Sequence, residues 1–197
     1  YVFFYNAIYY LENPLSILHV WQGGMSFHGA LIGVGLALFT MAKRHNIAFL
    51  ALSDRVAMVT PIGLFLGRLS NFINSELYGR VTDVPWAMIF PHSDGLPRHP
   101  SQLYEAGLEG VLLGLAMYLC WRRGWLKATG RLTGLFLFGY GLARFLVELV
   151  RQPDAHIGLL AGGLSMGQIL SLPMMLLGLY LLRHALRPSH DQGRDHE

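Results

Sequence analysis

The strongest constraint on this chain is the recurrence of apolar runs long enough to cross a bilayer. Hydrocarbon about 30 Å thick needs about 20 helical residues. Five runs approach that length: Met25–Ala42, Asp54–Asn71, Ser101–Trp121, Leu132–Val150 and Ser165–Leu182. YVFFYNAIYY, Tyr1 to Tyr10, is expected to end an earlier, truncated span, and LENPLSILHVWQGG after it to form an interfacial loop or short helix. The chain is 53% hydrophobic and only 14% charged, against about 25% charged in soluble domains. The expected fold is therefore all-α. It is a polytopic integral membrane helix bundle of about five complete transmembrane helices plus a truncated N-terminal one, with residues 1–197 as a single membrane domain.

Basic residues orient the bundle. Lys43, Arg44, Arg55, Arg122, Arg123, Lys127, Arg131, Arg183, Arg187 and Arg194 fall on one side, ten of the fifteen Lys and Arg. By the positive-inside rule that side is cytoplasmic. Residues 184–197 are then a cytoplasmic tail, and 74–100 a periplasmic loop segment that carries Arg80 and Arg98. A net charge of +3 is too small to suggest nucleic acid. The lone cysteine, Cys120, reads as an inert apolar residue near a helix end. No HExxH motif or paired Cys/His spacing is present, so no metal site is expected. GALIGVG and GLFLG carry the small-xxx-small spacing that lets membrane helices approach closely.

Ionisable groups interrupt the apolar runs, and an intramembrane charge points by default to function. Arg68 lies thirteen residues from Arg55, Arg144 thirteen from Arg131, Glu109 thirteen from Arg122, and His28 fifteen from Lys43. At 1.5 Å per residue, each sits roughly 20 Å above the cytoplasmic end of its helix. Four helices thus place ionisable groups at one level in the outer half of the bilayer. Tyr140, Arg144, Glu148 and Arg151 follow at intervals of 4, 4 and 3, which stacks them on one helix face.

Two arginines at one depth need anions. Glu76, Glu105, Glu109 and Glu148 can supply them, and a satisfied ion-pair network is the bland reading. The functional reading is an oxyanion ligand, since the guanidinium fork matches phosphate bidentately. At this depth the abundant phosphate belongs to a phospholipid headgroup. His28, the histidine inside a span, is either a hydrogen-bonded core residue or a general base. A lipid or anion transporter is the competing class. It calls for a matching polar path through the cytoplasmic half, where these spans are apolar.

With those residues placed, the chain resembles the prolipoprotein diacylglyceryl transferase family of bacterial inner membranes. The blocks GGMSFHGALIG, GRLSNFINSELYGR, LPRHPSQLYEAGLEG, GYGLARFLVELVRQPD and SMGQILSLPM follow in the family's order. The resemblance implies further membrane helices before Tyr1. It also implies an enzyme that moves the diacylglyceryl group of phosphatidylglycerol onto the lipobox cysteine thiol of a prolipoprotein signal peptide. A thioether forms and glycerol 1-phosphate leaves. The family's important residues fall on His28, Arg68, Asn71, Glu76, Gly79, Tyr140, Arg144 and Glu148.

The sulfur displaces the phosphate-bearing fragment at a glyceryl carbon. A thiol of pKa about 8.5 reacts as thiolate, and the leaving phosphate gains charge that fixed donors stabilise. His28, Arg68 and Arg144 are the expected catalytic residues. Asn71, Glu76, Gly79, Tyr140, Glu148 and Arg151 are the expected substrate-binding set. The scheme needs no cofactor and no metal, and its partners are phosphatidylglycerol, the signal peptide and the bilayer.

Overall fold

The computed structural model describes residues 7–14, 16, 27–91, 93–152 and 164–185, with the side chains of 7 and 27–31 outside that set. The chain divides into two compact units, Tyr1–Leu52 and Ser53–Glu197. The first holds α1, Ala7–Glu12, and α2, Phe27–Arg44. The expectation for Tyr1 to Tyr10 falls mostly outside the described residues, as do the outer segment 153–163 and the tail from 186 onward.

The helix α3, Phe49–Ile73, leads into the second unit. It is followed by α4, Ser101–Arg122, α5, Arg131–Val147, and α6, Met166–Ala185. Three of these, α3, α4 and α6, are long and apolar enough to cross a membrane. The α2 helix has 18 residues and α5 has 17. The protein is a helical membrane protein, and its outward faces are apolar, with Ile62, Leu66 and Leu176 each mostly exposed. Where the core forms, Met117 and Leu132 are fully buried against Ala57 and Leu113, with Phe136 and Tyr140 packed around them.

Helix α5 ends at Val147, three residues before the expected Val150, because Glu148–Val150 form a turn that points back toward the outer loop. Helix α3 starts at Phe49, five residues before the expected Asp54. Asp54 is not a solvated charge but is fully buried. Its carboxylate accepts the backbone N–H of Gly130 and of Thr133 and the Thr133 hydroxyl, each at 2.7 Å. These donors belong to the first turn of α5, whose N–H groups have no partner within the helix and whose dipole favours an anion. Asp54→Ala is therefore expected to destabilise the bundle by about 3 kcal/mol, and Asp54→Asn by less. Thermal unfolding in detergent measures this, and an unchanged midpoint for the alanine variant contradicts the capping role.

Close helix approach occurs elsewhere than the glycine spacing suggests. Gly33, Gly35, Gly63 and Gly67 face open space among the described residues. The tight seam runs between α5 and α6. A Cβ on Gly134 would lie 2.9 Å from the Gly178 carbonyl oxygen, and one on Gly178 would lie 2.5 Å from the Phe138 nitrogen. Without hydrophobic drive between helices in lipid, such backbone proximity supplies the packing.

The loop after α3 is held by backbone pairing. Isolated antiparallel bridges join Gly79 to Arg151, and Val81 and Met88 to Arg98. The Arg98 fork grips Asp94 at 3.2 and 2.7 Å, donates to the Gly79 carbonyl at 3.1 Å, and lies over the Tyr78 ring. That fork holds the Asp94 carboxyl below its usual range. Bonded on several edges to Asp94, Gly79 and Gln152, Arg98 explains how a short loop rich in exposed apolar side chains keeps one shape.

Candidate active site

The deep charges of α3, α4 and α5 meet at one carboxylate. Glu105 is 1% exposed. Its Oε2 lies 2.7 Å from Nε of Arg68, and its Oε1 lies 3.0 Å from Nη1 of Arg144 and 3.3 Å from Nη1 of Arg151. Arg68 and Arg144, expected at one level by counting along separate helices, thus sit on opposite oxygens of one side chain. Glu109, one step along α4, is fully buried, with Oε2 3.5 Å from Nε of Arg68. Neither of its oxygens has a hydrogen-bond partner among the described residues.

Local structure on α4 sets this up. The helix is α-helical over Ser101–Glu105 and Leu113–Arg122, with a π-helical segment at Ala106–Leu112 between them. An extra residue in a turn rotates everything after it by about 100° relative to an unbroken α-helix. Such insertions recur at functional sites. Gly110 follows Glu109 directly, and a Cβ there would lie 2.6 Å from the Cβ of Phe65. Glu109 is thereby pinned against α3 within one turn of Arg68.

On α5 the expected ladder is partly realised. Arg144 Nη2 pairs with Oε1 of Glu148 at 2.5 Å, and Nε of Arg151 lies 3.9 Å from the same oxygen. Glu148 also accepts the Ser165 hydroxyl at 2.7 Å. Ser165 and Gln168 cap α6 reciprocally, the Gln168 N–H donating to the Ser165 hydroxyl and the Ser165 N–H to the Gln168 side chain. Gly167 makes room for this, because a Cβ there would lie 2.7 Å from Cδ of Glu148. Tyr140 stacks on Phe136 at 5.8 Å and has no hydrogen bond to the arginines among the described residues.

Asn71, Glu76 and Gly79 lie outside this cluster. Asn71 donates to Glu76 at 3.5 Å, a weak contact. Gly79 is packed where a Cβ would lie 2.6 Å from the Val150 carbonyl oxygen, so close backbone approach accounts for it. His28 lies on α2, but its side chain is outside the described residues. Glu105, named from the sequence only as one of four candidate anions, is the hub. Its signal was its place four residues before Glu109, on the same side of the same helix.

The turn that presents Glu76 is strained. Ser75 and Leu77 have φ of 58° and 56°, and a non-glycine residue in the left-handed region costs roughly 1–2 kcal/mol. The start of α4 holds it. The Ser101 hydroxyl donates to the Leu77 carbonyl at 3.0 Å, and the Gln102 amide donates to the Glu76 carbonyl at 2.6 Å. Ser101→Ala is expected to destabilise by about 1 kcal/mol, and by less in a Leu77→Gly background, where the turn no longer needs holding. If the two effects simply add in unfolding measurements, the turn and the helix start are not coupled.

Residues 1–184 match the family model described as prolipoprotein diacylglyceryl transferase. The chain belongs to the prolipoprotein diacylglyceryl transferase family. It is 55% identical over 187 residues to the phosphatidylglycerol–prolipoprotein diacylglyceryl transferase of Methylocella silvestris, an overlap of 95% of this chain and 69% of the relative. The Polynucleobacter asymbioticus enzyme of the same name is 56% identical over 183 residues, covering 93% and 69%. That of Bordetella parapertussis is 55% identical over 189 residues, covering 95% and 71%. The family blocks contain Arg68, Glu105, Glu109, Arg144, Glu148 and Arg151, so the buried cluster is built from the segments that carry the resemblance.

Proposed function

We infer that this chain is a transferase of lipoprotein biosynthesis that moves the diacylglyceryl group of phosphatidylglycerol to a prolipoprotein. The supporting observation is the convergence of Arg68 and Arg144, from two separate helices, on the two oxygens of one buried carboxylate in a membrane enzyme of this family. Three guanidinium groups and three carboxylates share this cluster, and Arg68 and Arg144 keep 16% and 18% of their side chains exposed. Partly exposed guanidinium edges held rigidly from behind are the donors a phosphate needs.

In the proposed reaction the acceptor is the lipobox cysteine of the signal peptide. Its sulfur attacks the glyceryl carbon bonded to the phosphate oxygen. The S–C bond forms, the C–O bond breaks, and the electron pair leaves on the phosphate of glycerol 1-phosphate. The thiol proton passes to a base, for which His28 is the assigned residue. Arg68 and Arg144 bind the phosphate and stabilise the charge it gains. Glu148 holds Arg144 from the outer side and Arg151 shares its carboxylate partners, Asn71 and Glu76 line the entrance, Gly79 sets the loop's close packing there, and Tyr140 orients the headgroup. The site faces the periplasmic side of the bacterial inner membrane.

The test is a transfer assay in membranes carrying the chain, with glyceryl-labelled phosphatidylglycerol and a lipobox peptide. Label is expected on the peptide in thioether linkage, with glycerol phosphate released. A peptide with its cysteine replaced by alanine is expected to stay unlabelled. Equal labelling of both peptides, or none of either, overturns the reading.

A further inference from the structure

A second feature adjoins the arginine cluster. Helices α3 and α4 leave between them an open groove of about 350 Å³ with an almost wholly apolar lining. At its outer end are Phe65 and Gly110, three residues before Arg68 and one after Glu109. Phe65 and Arg68 share a face of α3 at that spacing. The floor is formed by Pro61 and Gly114, with a Cβ on Gly114 lying 3.3 Å from Cβ of Pro61. Ile62 and Val111 form opposite rims. The inner end is Met58 and Tyr118, and there Arg122 donates to the Tyr118 hydroxyl at 3.2 Å.

We propose that this groove seats one acyl chain of the donor lipid, so that Arg68 holds the phosphate while the chain lies along α3. The proposal rests on the transferase reading above. Direction and section both fit. On α3 the lining runs from Phe65 to Met58, a rise of about 10 Å that begins one turn below Arg68. The groove leads from the level of Arg68 toward the cytoplasmic end of α3, so a chain in it hangs inward from the phosphate. Its section excludes the other membrane-borne partner. Spread over about 10 Å, the volume leaves a channel narrower than the roughly 10–12 Å diameter of a helix, so a helical signal peptide does not enter it. The groove exists because glycine and proline stand where larger side chains would fill it. The π-helical turn on α4 is what aims Gly110 and Gly114 at α3.

The groove predicts a dependence on chain length that the phosphate clamp alone does not. Ile62 and Val111 are 63% and 58% exposed, so a bulky residue at either one fills the groove without entering the core. Transfer to a lipobox peptide is measured with dioleoyl- and dioctanoyl-phosphatidylglycerol for the unaltered chain, Ile62→Trp and Val111→Trp. The expected result is an increase of about tenfold in KM for the dioleoyl lipid, with KM for the dioctanoyl lipid within about twofold of the unaltered chain. Retained dioctanoyl transfer also shows that the variants are folded. Equal effects on both lipids, loss of both, or no effect on either overturns the groove assignment while leaving the transferase reading intact. Failure of the unaltered chain with both lipids overturns the transferase reading, and the groove with it.

Discussion

Glu105→Ala is expected to abolish measurable transfer and to lower stability by about 3–5 kcal/mol, the usual effect of removing one partner from a buried ionic group. Few single substitutions in this chain remove as much. One carboxylate receives Arg68, Arg144 and Arg151 at 2.7, 3.0 and 3.3 Å. Without it, among the described residues, Arg68 keeps only the 3.5 Å approach to Glu109, and Arg144 keeps only Glu148. Glu105→Gln separates charge from shape. It preserves the side-chain volume and one acceptor oxygen, and is expected to fold but to turn over slowly. Transfer rate and thermal unfolding, measured side by side in detergent, give the answer. A glutamine variant with normal rate and normal midpoint would show that the arginines do not depend on a shared anion.

The second large effect is at Arg144. Its two terminal nitrogens serve different carboxylates, Nη1 on Glu105 and Nη2 on Glu148. A lysine carries one point-like ammonium and no fork, so it cannot reach both carboxylates in the geometry the two nitrogens give. Arg144→Lys is expected to lower kcat/KM by about 10²–10³, comparable to losing one charge-stabilising donor. The loss should not add to that of Glu148→Gln, because both substitutions break the same contact. Near-normal transfer by the lysine variant, or full additivity of the pair, would falsify the proposed fork.

How much of this was legible in the sequence depended on which physical signal carried it. Helical rise is regular, so counting from cytoplasmic arginines put Arg68, Arg144 and Glu109 at one level, and the first two do meet. Spacing of four and three put Glu148 and Arg151 on the Arg144 face, and both contact it or its partner. Glu105 was harder. Its importance depends on three helices converging, which no single helix's pattern encodes. The π-helical segment at Ala106–Leu112 was invisible, since it differs from an α-helix only in which carbonyl each N–H chooses. Glycine spacing misled. It marked Gly63 and Gly67, which face open space, because spacing reports that a face is small and not that another helix covers it. Asp54 misled in a different way. A charge at the end of an apolar run reads as solvated, whereas this one is buried against the start of a distant helix. The left-handed Leu77 ran against its own intrinsic preference, and only the hydrogen bonds from α4 explain it.

The shared carboxylate also bears on how the protein is made. Membrane helices leave the ribosome in order, and α3 emerges with Arg68 before α4 brings Glu105 and Glu109. Until then a guanidinium sits in the outer half of an otherwise apolar segment, which opposes insertion by up to about 2.5–3.5 kcal/mol. Ser101–Arg122 removes that penalty on arrival. The two helices are therefore best suited to entering the bilayer as a hairpin, with the residues proposed to grip a lipid first serving to bring their own segment across.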